Sequence, residues 1–221
     1  MTLKKIIGVG IPAGVQSTLF ALANTLGQSA VNSFGKVVMA AHAASNNVQG
    51  IIHTPMSTLD QATLAFTSQN LGAKRIDNIR KVERKSVLIN AVSSLIIALI
   101  AFTIGGTLLK IYNVDSEEMM QAALTHMHIV TATAGLGTLM CVYAALMRGI
   151  GYSVKPTVVT LIGSCLLRVL WILFLLPLNH KLGFLYIVYP ITWIVTTAVH
   201  FVCFRRGLRK TERRLAAGDD I

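Results

Sequence analysis

The side chains best suited to binding chemistry in this sequence fall at helical spacing along one segment. His42, Asn46, Gln49, His53, Ser57 and Asp60 follow one another at intervals of three and four residues. At about 100° per residue they share a stripe roughly 80° wide, with Val48, Ile51, Ile52, Leu59, Ala62 and Phe66 on the opposite side. Imidazoles, carboxamides, a hydroxyl and a carboxylate on one face could line a wet cavity, hold the polar part of a solute or relay a proton. The same groups could instead hydrogen-bond helix to helix. Ser17, Asn24, Gln28 and Asn32 repeat the theme at spacings of 7, 4 and 4 residues, with Gln16 to one side. Gln16, Asn24, Gln28, His42, Asn46, Gln49 and Ser57 are therefore the candidate cavity-lining and substrate residues. Pro55 lies inside the stripe and predicts a kink, because it removes one backbone donor.

Asp60 is the one carboxylate, and Arg168 the one basic residue, that falls well inside an apolar run. An isolated charge in hydrocarbon is costly, so each must be neutralised, paired or hydrated. At 1.5 Å per residue both lie roughly 18–20 Å from the same end of their segments. Either Asp60 and Arg168 form a fixed ion pair, or Asp60 titrates and carries the H⁺ or Na⁺ of a coupled transporter, with His53 as its relay neighbour. Asp60, His53 and Arg168 are the ion-coupling candidates.

Other chemistries find no support. No HExxH pattern occurs, and His42 and His53 stand three turns apart, too far for one metal ion. His126 and His128 read as packing histidines. Cys141, Cys165 and Cys203 are odd in number and lack metal spacing, so neither a metal site nor a disulfide framework is expected. Gly8-x-Gly10-x-x-Ala13 imitates a dinucleotide fingerprint, but no strand precedes it and Pro12 falls within it. Nucleophile elbows, P-loops and paired catalytic carboxylates are absent, so the sequence does not read as an enzyme and calls for no cofactor.

The elements that must carry these residues are set by composition. Of 221 residues, 53% are hydrophobic and 13% charged, and the mean hydropathy is +0.63, outside the range of ordinary soluble domains. Six apolar stretches are each long enough to cross a bilayer: Ile6–Asn32, Val37–Leu71, Val87–Leu109, Gln121–Met147, Pro156–Leu178 and Leu182–Phe204. A spanning backbone must satisfy its own hydrogen bonds, and barrel-type alternation is missing, so an all-α membrane protein of six transmembrane helices is predicted. Residues 1–204 form the six-helix domain, and 205–221 a basic cytoplasmic tail. Lys4-Lys5 followed by an apolar run imitates a signal peptide, but Gly10, Pro12 and Gln16 interrupt that run and the helix continues.

The net charge of +11 does not point to nucleic acid, because the basic residues alternate between breaks. Sixteen of the 20 Lys and Arg fall before the first stretch or in every second break after it; Lys36, Lys110 and Lys181 occupy the others. This bias places both termini in the cytoplasm of a multi-pass protein of the plasma (inner) membrane, with anionic headgroups as secondary partners.

Four strings then become informative: Ile11-Pro12-Ala13-Gly14, Val31-Asn32-Ser33-Phe34-Gly35, Phe66-Thr67-Ser68-Gln69-Asn70-Leu71-Gly72-Ala73-Lys74 and Leu146-Met147-Arg148-Gly149-Ile150-Gly151. In this order and spacing the chain resembles the C-terminal six-helix lobe of the multidrug and toxic compound extrusion (MATE) family. The resemblance implies one lobe of a two-lobe antiporter that expels small cationic amphipathic compounds in exchange for Na⁺ or H⁺. It also implies a missing N-terminal lobe, or a second copy in a parallel dimer, for alternating access; the alternative is a truncated, non-transporting remnant or accessory membrane component. Some members place a coupling-ion carboxylate in the first and fourth helices of this lobe. Here the first span has none, and the fourth offers only Cys141 and Tyr143.

Overall fold

In the computed structural model, which describes the backbone of residues 3–217 and their side chains except 3–13, 15–17, 52, 53 and 55, every regular element is helical. Helices α1 (Leu3–Asn32) and α2 (Lys36–Gly72) form an antiparallel hairpin. Its turn passes through Gly35 at φ +98°, a conformation that side chains other than glycine disfavour. There follow α3 (Ile76–Thr103), the short α4 (Gly105–Lys110), α5 (Glu117–Gly149), α6 (Val154–Leu178) and α7 (Leu182–Ala216). The turn after α5 passes through Gly151 at φ +90°.

Among the described residues, four helices are long and apolar enough to cross a membrane: α3, α5, α6 and α7. Helix α2 has 37 residues, length enough, but its polar stripe dilutes its hydropathy. Helix α5 forms the centre. Of its most apolar stretch 61% is buried, against 22% in α3, 28% in α6 and 39% in α7. The outer helices turn Leu88, Leu95, Leu99, Ile162 and Phe174 outward, an apolar skin that water would penalise and acyl chains accept.

Helix starts and ends differ from the sequence expectation where charge begins. The third helix starts at Ile76, not Val87, and the last continues past Phe204 to Ala216. Hydropathy marks where a helix leaves hydrocarbon, whereas the helix itself runs on until something breaks it. Charges knit these extensions together. Arg80 reaches Asp77 and Glu212, each at 2.8 Å, and Arg205 lies 3.3 Å from Glu83. Glu83 is only 4% exposed and also accepts from the Tyr143 hydroxyl at 3.4 Å, so the most buried carboxylate described is Glu83 rather than Asp60. Helix α2 continues as one element through Pro55 although that residue has no backbone N–H to donate.

Close packing around α5 depends on small residues, as is usual where lipid competes with side chains for every surface. A Cβ on Gly135 would overlap the Ser94 side chain of α3, and one on Gly149 would overlap Thr67 of α2. The Gly135 carbonyl also accepts a 3.0 Å hydrogen bond from the buried Asn90 amide. Overpacking of this kind costs about 1–3 kcal/mol. Gly135→Val is therefore expected to lower the thermal midpoint of the purified protein in detergent. An unchanged midpoint would mean that α3 and α5 do not meet there.

A polar cavity as candidate functional site

The α1–α2 hairpin determines which polar residues face one another. Because the helices run antiparallel from a short turn, Asn24 and Gln28, one to two turns before its end, come level with His42, Asn46 and Gln49. These five residues line a cavity of about 280 Å³, completed by His126, Val130 and Tyr189. Every lining residue except Val130 carries a polar side chain. The floor is buried, with His42 7% and His126 1% exposed, whereas Asn24, Gln28 and Asn46 are exposed at the mouth.

The floor is ordered by directional bonds. The Asn46 side-chain nitrogen can only donate, so its 2.9 Å contact makes His42 Nε2 the acceptor. The proton of neutral His42 then sits on Nδ1 and is donated to the Tyr186 oxygen at 3.0 Å. With both ring nitrogens engaged, His42 has no lone pair left for a metal. The His126 ring meets His42 edge-on at 4.9 Å and Tyr186 at 4.8 Å, which fixes all three rings. At the mouth, Gln28 donates to Asn32 Oδ1 at 2.9 Å.

Helix irregularity supplies the rest of the wall. His126 closes the first part of α5, and a π-helical turn, Met127–Thr131, begins immediately after it and holds Val130. Such turns widen the helix and recur at functional sites. Tyr186 and Tyr189 lie three residues apart across the break at Ile187 in α7, on one face. His126 does pack, as its sequence context suggested, but it also forms cavity wall. Tyr186 and Tyr189 carried a sequence signal only in that spacing, hidden within an apolar span.

The remaining candidates are dispersed. Arg168 of α6 is 5% exposed, and its contacts go to residues other than Asp60, against the first of the two alternatives, a fixed ion pair. Its guanidinium donates to Asn24 Oδ1 at 3.2 Å and to Ser164 Oγ at 3.5 Å, and it stacks over Tyr189 with Cζ 4.2 Å from the ring centre. The two charges match in depth by residue count, but Asn24 of α1 and Tyr189 of α7 claim the guanidinium. Asp60 accepts from the Gln61 amide at 3.0 Å and lies, like Arg148, within electrostatic reach of Cys141 on α5. That position is about 16 Å along α2 from Gln49. Ser57 is exposed and bonds the Thr54 carbonyl at 2.7 Å, outside the cavity lining. Gln16 and His53 lie outside the described side chains.

A water-filled cavity has a direct chemical signature. In a background lacking Cys141, Cys165 and Cys203, Asn46→Cys is expected to react with a water-soluble methanethiosulfonate, whereas Leu99→Cys on the lipid-facing side of α3 stays protected. Equal protection of both positions would show that the cavity is dry.

The comparisons with known proteins agree with this architecture. The family model described as MatE matches residues 12–173. The probable multidrug resistance protein YoeA of Bacillus subtilis (strain 168) is 23% identical over 156 residues, covering 71% of this chain and 34% of that protein. The MATE transporter VcmN of Vibrio cholerae, solved in its bent form, superposes with a TM-score of 0.84 at 19% identity, covering 95% of this chain and 47% of that one. The outward-facing conformation of a multidrug resistance MATE family transporter of the MOP superfamily gives 0.83 at 16% identity, covering 96% and 48%. The chain thus spans about a third of the curated relative and just under half of each solved transporter, and its fold is that of one lobe. By its family match over most of its length, the chain is a multi-span membrane protein of the MatE family.

Proposed function

We propose that the chain is the C-terminal lobe of a multidrug efflux antiporter. Its six helices, α1 to α3 and α5 to α7, all span the plasma membrane, with both termini in the cytoplasm. Paired with an N-terminal lobe or a second parallel copy, it exports cationic amphipathic compounds in exchange for Na⁺ or H⁺. The observation that carries this reading is the polar cavity itself. A membrane protein hides amide and imidazole groups from hydrocarbon, yet here they wall an opening of about 280 Å³ whose mouth is exposed on the lone lobe. A face of that kind suits a path shared with a second lobe. The polar stripe also explains why α2 can span although its mean hydropathy is low, since only its opposite side meets apolar surroundings.

The cavity lining contains no carboxylate, so the acidic contacts to a cationic solute come from the other lobe. Within this chain Asp60 is the coupling candidate. It is the membrane-depth acid of α2, near Cys141 and Arg148 at the α2–α5 contact. A carboxylate there can exchange H⁺ or Na⁺ as the lobes rock.

Orientation follows from the basic breaks and is read by labelling intact cells. Asn113→Cys is expected to react with a membrane-impermeant maleimide from outside, and Asn78→Cys only after permeabilisation; the reverse pattern would invert the topology.

Transport is tested by ethidium efflux from proteoliposomes that hold the chain with its second lobe, under imposed Na⁺ and pH gradients. Gradient-driven efflux is expected, and Asp60→Asn should slow it by about tenfold or more. Leakage that ignores both gradients would overturn the antiporter reading, and coupling retained in the variant would remove Asp60 from the mechanism.

A further inference from the structure

Arg168 is a buried cation without a buried anion. It is 5% exposed, and no salt bridge to it occurs among the described residues; Glu83 is held by Arg205, and Asp77 and Glu212 by Arg80. Its Nε makes no hydrogen bond to the protein, and neither does Nδ1 of His126 in the cavity floor. An ion held in low dielectric is stable only when paired or well solvated. The neutral partners of Arg168 do part of that. Two of them, Asn24 and Tyr189, are cavity wall.

This arrangement gives the cavity a sign. Because Asn24 Oδ1 accepts from Arg168, the amide nitrogen on the other branch of that side chain is the group left to donate. The guanidinium charge therefore reaches the cavity through one amide and one aromatic ring, and no carboxylate opposes it. A cation gains nothing from such a wall, whereas an oxyanion would find N–H donors backed by a fixed positive charge. The cavity's size, about 280 Å³, lies at the small end for ligand pockets and suits one end of a solute rather than a whole amphipathic compound.

We infer that this cavity binds the carboxylate end of an organic solute, with Arg168 as its counter-ion and Asn24 as the first donor. For the substrate class this rests on the transport reading above, and it narrows that class to amphipathic compounds carrying a carboxylate besides their amine. The amine then faces the other lobe. The same carboxylate chemistry could be supplied by an acidic side chain of the second lobe, and the test separates the two sources.

Benzoate, benzamide and benzamidinium share one shape and carry three charges. Their binding to the full 221-residue chain alone in lipid nanodiscs can be followed by tryptophan fluorescence, since Trp193 stacks edge-on against Tyr189 at 5.8 Å. Wild type is expected to bind benzoate about tenfold or more tighter than either analogue. Arg168→Gln should erase that preference, and Arg168→Lys should keep part of it, which separates loss of charge from loss of packing. Equal binding of the three probes by wild type overturns the proposal. So does a preference for benzamidinium, or a benzoate preference that survives Arg168→Gln. Absence of benzoate binding to the lone chain, together with weaker association of the second lobe in Arg168→Gln, assigns the counter-ion to that lobe and also overturns it. Should Arg168→Gln fail to fold, the charge series on wild type and Arg168→Lys still decides. Binding without gradient-driven efflux would leave the site standing and remove only the transport reading.

Discussion

Hydrocarbon offers no hydrogen bonds, and most of this structure follows from that. Backbone groups are satisfied inside helices, apolar side chains of α3, α6 and α7 face outward, and polar side chains are confined to places where protein or water can meet them. The α1–α2 hairpin carries the largest concentration of such side chains. Once Gly35 folds it back on itself, Asn24 and Gln28 come level with His42, Asn46 and Gln49 and line one cavity with them. The cavity is thus a consequence of the hairpin and its pattern, and the His42–Tyr186 and His42–His126 contacts fix its floor.

A second consequence concerns charge. At the ends of α3 and α7, acids and bases are mixed and pair in the ordinary way, as Arg80 does with Asp77 and Glu212. Deeper in the bundle Arg168 and Asp60 keep different company. Arg168 lies beside the cavity among neutral partners, while Asp60 stands about 16 Å along α2 from Gln49, at the contact with α5. On the proposed reading Arg168 serves the solute and Asp60 the coupling ion, at two separate places in the lobe.

Much of the fold was legible in the sequence because the bilayer imposes a length and a polarity that composition must obey. Helix α2 was expected at Val37–Leu71 and runs Lys36–Gly72, and both the expected and the observed α6 end at Leu178. Hydropathy could not show that α3 starts at Ile76 or that α7 continues to Ala216, since charged helix in water is held by tertiary ion pairs. Five members of the cavity were readable from spacings of three and four. His126 and Tyr189 were not, because each sits in a largely apolar span and only the tertiary packing brings it to the hairpin. Depth alone allowed an Asp60–Arg168 pair, but which neighbours reach a guanidinium is a tertiary fact that one-dimensional counting does not contain.

On the proposed reading a solute enters the lobe between α1 and α2. A single-particle structure of the chain with its second lobe and a bound zwitterionic amphipath would test it most directly. Solute density is expected against Asn24, Asn46 and Tyr189. Density confined to the apolar groove that Leu59, Ala62 and Ile89 line between α2 and α3, with the polar cavity bare, would contradict it.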